Sequence, residues 1–82
     1  MPFLALEPIV RVLMFGAEKY APEDWKRVPN AKERYYDALL RHLFAWRSGQ
    51  RNDPESGLSH LGHAGACLVF LLWFELRGEE SE

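Results

Sequence analysis

Residues 53–77 read DPESGLSHLGHAGACLVFLLWFELR, and this stretch decides the fold. Asp53-Pro54-Glu55 is a helix-start signal: Asp caps, Pro suits the first helical position, and Glu in the first turn complements the dipole. A helix is therefore expected from there to about Arg77. His60 and His63 stand at i,i+3 and project from one face. Ser56, Ser59 and Cys67 lie around them, all small, while Leu58, Leu61, Leu68, Val69 and Leu72 take the opposite side. Gly62, Gly65 and Ala66 let another helix approach closely. The longest apolar run, Ala66 to Phe74, is far too short to span a bilayer. The tail from Gly78 to Glu82 is acidic and expected to fray.

Working back along the chain, two more helices are legible and no strand. The second starts near Asn30, an acceptable N-cap, and runs to Arg47 or Ser48, where Gly49 stops it. The first runs from Pro8 to Tyr20. At about 100° per residue its apolar positions Ile9, Val10, Val12, Leu13, Met14 and Phe15 cover most of the circumference, and Arg11 and Glu18 make a narrow polar line. A helix apolar nearly all round is packed on several sides. Ala21-Pro22 ends it, and a loop carrying Trp25 among charged residues leads to Pro29. The architecture expected is all-α: one domain over residues 1–82, a three-helix unit that completes a bundle by pairing.

Composition agrees. A chain of 82 residues buries only about 60–65% of its unfolded surface. Yet 48% of it is apolar and 13% aromatic, which leaves apolar surface for a partner, most simply another copy, as a dimer or tetramer. Ten basic against twelve acidic residues give a net charge of -2, which disfavours a nucleic-acid partner held by bulk charge. A single cysteine excludes a disulfide framework, and with no signal peptide or spanning segment the expected location is the cytoplasm, off any membrane.

The residues able to carry chemistry fall in two polar sectors. On the second helix Asp37, Ala38, Arg41, His42 and Ala45 lie within about 140° of one another. Small residues beside ionisable ones leave room for a ligand; the alternative is a surface salt-bridge ladder of Glu33, Asp37 and Arg41. Two histidines one turn apart on the third helix are a common way to place two ligands on a metal. If the sectors face each other, His42, Asp37, His60 and His63 come together; the alternative is hydrogen-bonded, partly buried histidines. Trp25 could stack on a base and Lys19 reach a phosphate, or the first could be a lid over the core and the second a dipole partner. Cys67 reads as a small core residue.

The strings also resemble a known family. Phe15-Gly16-Ala17-Glu18-Lys19-Tyr20 followed by Trp25, then Arg34-Tyr35-Tyr36-Asp37-Ala38-Leu39-Leu40-Arg41-His42 with Ala45-Trp46, then Asp53 to Ala64, resemble three blocks of the phage-type dATP/dGTP diphosphohydrolases. These are similar in kind to the MazG-like all-α nucleotide pyrophosphohydrolases, and the resemblance covers roughly residues 6 to 76. It implies hydrolysis of a purine deoxynucleoside triphosphate to monophosphate and pyrophosphate with a divalent metal, in a bacterial host or phage-infected cell. By the same resemblance Asp37, His42, His60 and His63 are the metal-proximal positions. Asp37, Glu55, His60 and His63 are the catalytic ones, Lys19 and Arg41 hold phosphate, and Tyr20 or Trp25 faces the base. Mg²⁺ is the family default; histidine in place of the usual carboxylates suits Mn²⁺, Fe²⁺, Co²⁺ or Zn²⁺ better. Gln50 stands where the family often has Glu. The rival reading is a non-catalytic helical module of phage origin that binds a metal or nucleotide, or assembles with a larger protein.

Overall fold

The computed structural model describes residues 2–78, so most of the acidic tail, from residue 79 on, lies outside the described residues. Three α-helices follow one another: α1 (Glu7–Lys19), α2 (Ala31–Arg47) and α3 (His60–Leu76). Short 3₁₀ turns at Phe3–Leu6 and Asp24–Arg27 precede α1 and α2. Among the described residues there is no strand, and no helix is long and apolar enough to cross a membrane. The all-α expectation is met.

Local chemistry explains two of the three helices as read. In α1, Pro8 sits in the first turn, Glu7 pairs with Arg11 one turn on at 2.9 Å, and the Tyr20 N–H closes the last turn on the Gly16 carbonyl. In α2, Asn30 is the N-cap residue but in the left-handed conformation (φ 55°), where its side chain makes no cap bond. Gly49, at φ 107°, allows the chain to leave α2 through a Schellman ending. The Gly49 N–H donates to the Trp46 carbonyl and the Gln50 N–H to the Ala45 carbonyl, both at 3.0 Å.

The start of α3 departs from expectation. Asp53 does accept the Ser56 N–H at 3.0 Å, as a cap would, but the chain does not continue as a helix. Gly57 turns to φ 75°, its N–H returns to the Asp53 carbonyl, and the Asp53 N–H donates to the Leu58 carbonyl, both at 2.7 Å. Residues 53–57 are thus a closed turn. The working N-cap is Ser59, whose Oγ accepts the Gly62 N–H at 3.1 Å. Glu55 consequently lies in this turn and not in the first turn of α3.

Helix α3 is the central element, with α1 and α2 packed against it. The close approach expected at its glycines is present. A Cβ on Gly62 would lie 2.9 Å from the Pro8 carbonyl oxygen, and one on Gly65 would lie 2.5 Å from the Ile9 side chain. The buried apolar core is small: Val12, Ala64, Ala66, Cys67 and Phe74. Helix α1 is not enclosed on several sides within this chain; Val10 and Met14 are open to solvent because only α3 covers it. Phe44 on α2 and Leu68 and Leu72 on α3 are likewise exposed.

Candidate functional site

The two polar sectors do face each other. His42 and His60 are the only polar residues buried among those described, at 6% and 2% exposure. Burying two imidazoles is tolerable only if their buried nitrogens find partners, and three of the four ring nitrogens are bonded. His42 Nδ1 and His60 Nδ1 are 2.8 Å apart, and His60 Nε2 lies 2.6 Å from Gln50 Oε1. The His63 ring stacks on that of His42, centroids 4.5 Å apart and nearly parallel. Its Nε2 is 2.7 Å from Ser56 Oγ and 3.9 Å from an Asp53 carboxylate oxygen. One nitrogen each of His42 and His60 and one oxygen of Asp53 lie within 4.8 Å of one another.

The surroundings disfavour the charged forms of His42 and His63. Burial first, then the charges of His63, Arg41 and His60, push the His42 pKa down to about 4. Burial also lowers that of His63, outweighing the pull of Asp53. For Asp53, burial raises the carboxyl, but hydrogen bonds from Ser56 and the neighbouring imidazoles outweigh it and hold the pKa below its ordinary value. A carboxylate beside imidazole nitrogens is a ready donor set for a cation. Two nitrogens and one oxygen suit a borderline transition metal better than Mg²⁺, which prefers oxygen alone.

Of this cluster, His42, Asp53 and His63 line an open cleft of about 1010 Å³ bordered by all three helices and by the turn at residues 53–57. Lys19, Arg34, Asp37, Arg41 and Glu55 give the lining its charge, while Trp25, Val28, Phe70 and Trp73 make an aromatic and apolar wall away from the histidines. Along α3 the change from His60 to Phe70 takes ten residues, or about 15 Å of helix. Neither Arg34 nor Arg41 is ion-paired among the described residues, and the ladder of Glu33, Asp37 and Arg41 does not form.

Each sequence-derived position can be placed. His42, His60 and His63 are brought together. Asp37 and Arg41 border the same cleft, exposed; Asp37 is outside the group of His42, Asp53 and His60. Lys19 Nζ reaches across the cleft mouth to Glu55 at 2.6 Å, and that bond, with help from Tyr20, raises its pKa. Tyr20 lines the cleft with its ring 5.4 Å from the Lys19 ammonium. Trp25 stacks on Phe70 at 4.6 Å and meets Trp73 and Phe74 edge-on, so it lids the core while still bordering the cleft. Cys67 is buried, and burial pushes its thiol up, as a core residue requires. Sequence reasoning missed Asp53 and Ser56 as site members, because Asp53 was read as a helix cap. The signal against that reading was Gly57, which turns and does not propagate a helix.

A small all-α domain with a cleft where buried histidines and Asp53 meet cationic side chains and an aromatic wall is the class defined by fold and site. The family described as dATP/dGTP diphosphohydrolase, N-terminal, matches over residues 1–82, and the chain belongs to it. A Salmonella phage PMBT28 protein named dATP/dGTP diphosphohydrolase is 36% identical over 67 residues, covering 82% of this chain and 22% of that protein. The chain thus spans about a fifth of the length of the relative it matches. No solved structure matches.

Proposed function

We propose that this domain acts in the hydrolysis of purine deoxynucleoside triphosphates to monophosphate and pyrophosphate, with a divalent ion held by His42, Asp53 and His60. The observation that carries the reading is the pair of buried imidazoles with like nitrogens 2.8 Å apart beside the Asp53 carboxylate. A bound ion supplies Lewis acidity and positive charge beside the phosphate chain. The name of the phage relative supports the substrate class.

The chain's own residues have these roles. Arg41 and Lys19 bind phosphate oxygens; Lys19 does so by exchanging its exposed partner Glu55 for the ligand, since such a pair is worth little in water. Tyr20 and the free edge of Trp25 border the base. Water adds at the α-phosphorus, the bond to the bridging oxygen breaks, and pyrophosphate leaves. Asp37 and Glu55, both at the cleft, are the carboxylates able to take the water's proton. His63, held by Ser56 and stacked on His42, orders that wall. A second copy covers the apolar faces of α1 and α2 and closes the site, which sits in the cytoplasm of an infected or lysogenic cell.

A second reading has one observation in its favour: the matched relative is far longer than this chain. In it the domain binds ion and nucleotide and does not turn over alone. Product analysis on a panel of dNTPs and NTPs, each with Mg²⁺ or Mn²⁺, separates the two. The first reading expects dATP or dGTP to yield monophosphate and pyrophosphate, and His63→Ala to abolish this with helicity retained. Nucleotide binding without turnover by any pair supports the second.

A further inference from the structure

His60 uses both ring nitrogens, and the partner of the second is a residue with no assigned role. Its Nε2 lies 2.6 Å from Gln50 Oε1, a carbonyl oxygen that only accepts. Nε2 therefore carries the hydrogen, and the lone pair of a neutral His60 is left on Nδ1, which faces His42 Nδ1 at 2.8 Å. Gln50 is well placed to dictate this. Its N–H closes the α2 ending on the Ala45 carbonyl at 3.0 Å, and the next residue, Arg51, accepts the His60 N–H at 2.9 Å. The backbone on either side of Gln50 is thus tied to the end of one site helix and the start of the other.

We propose that Gln50 is a positioning residue for the cation site: its side-chain carbonyl fixes the tautomer and ring orientation of His60 so that the Nδ1 lone pair faces His42 and Asp53. This deepens the preceding reading and rests on the presence of an ion there. Ligating histidines are commonly oriented by an acceptor on the far nitrogen, and losing that acceptor weakens metal affinity by about 10–100-fold. Here the acceptor is an uncharged amide. It sets orientation without the added basicity a carboxylate lends to the ring.

The test is calorimetric titration of the whole chain with Mn²⁺ and Zn²⁺, for the wild type, Gln50→Ala and Gln50→Glu. Gln50→Ala is expected to bind about 10–100-fold more weakly and, without metal, to melt lower because the buried His60 Nε2 loses its acceptor; the restored affinity of Gln50→Glu and the His60 tautomer separate positioning from this loss of stability. Gln50→Glu restores an acceptor and is expected to bind at least as tightly as the wild type. Long-range proton–nitrogen NMR of the metal-free chain is expected to show His60 as the Nε2–H tautomer, and a tautomer mixture in Gln50→Ala. Wild-type affinity in Gln50→Ala, or Gln50→Glu as weak as Gln50→Ala, overturns the role of Gln50 and leaves the cation site standing. No binding by the wild type overturns the cation site itself.

Discussion

At the N-terminal end of α3 the cleft wall is imidazole and carboxylate; at Phe70 and Trp73 it is aromatic. The two ends stay in place for different reasons. His42 and His60 are buried with their Nδ1 atoms bonded to each other and His60 Nε2 bonded to Gln50, so that end is ordered by directional contacts whose loss leaves an orphaned polar group. Trp25, Phe70, Trp73 and Phe74 are ordered by area and ring geometry, which tolerate small shifts. Truncation at the two ends should therefore have different signatures: lost stability together with lost ion binding at one, lost stability alone at the other.

The largest effect is expected from His60→Ala, which opens a cavity and strips His42 of its partner. Denaturant unfolding should show a loss of about 3 kcal/mol, and calorimetry no ion binding. A variant that still binds Mn²⁺ as the wild type does would remove His60 from the site. Acid should act almost as strongly on the metal-free chain. The His42 pKa falls from 6.5 unfolded to about 4 folded. The unfolded chain then binds more protons, so stability is complete above pH 6.5 and lost as pH falls toward 4. The loss reaches at most about 3 kcal/mol. Asp53, lowered from its ordinary 3.8, adds a further loss below that value. Flat stability between pH 7 and 4.5 would contradict a buried, neutral His42.

Trp25→Ala tests the other end. It should cost about 2 kcal/mol through lost ring packing and leave ion affinity unchanged; weakened ion binding would show that the ends are not separate. Gly62→Ala should cost about 1 kcal/mol, the added Cβ meeting Pro8 backbone that has no side chain to yield, against a gain in helix propensity. Smallest is Glu55→Gln, which removes an exposed ion pair with Lys19. It should change stability by less than about 1 kcal/mol while strengthening nucleotide binding by freeing Lys19. Weaker nucleotide binding would instead make Glu55 part of the ligand site.

The same contrast accounts for what could be read from sequence. Helix bounds for α1 and α2 were legible to within a residue, because Pro8, Gly49 and the apolar spacing act locally. The meeting of His42 with His60 and His63 was legible too, since helical spacing puts each in a polar sector and two sectors facing each other is the simplest packing. The start of α3 was not. Asp53-Pro54 opens turns as readily as helices, and the choice was made by Gly57 and by bonds from Asp53 and His60 to Leu58 and Arg51 that no local pattern shows. Asp53, Ser56 and Gln50 join the site through that loop closure, so their part could be seen only in three dimensions. The glycines of α3 marked a close helix approach, but not that α1 would be the helix.

The central claim is that activity depends on an ion held by His42, Asp53 and His60. Pyrophosphate release from dGTP, measured for the wild type and Asp53→Asn with Mn²⁺ and with Mg²⁺, tests it most directly. Turnover by the wild type, higher with Mn²⁺ and lost in a folded Asp53→Asn, is the result predicted here. Equal turnover by the two proteins would contradict the account.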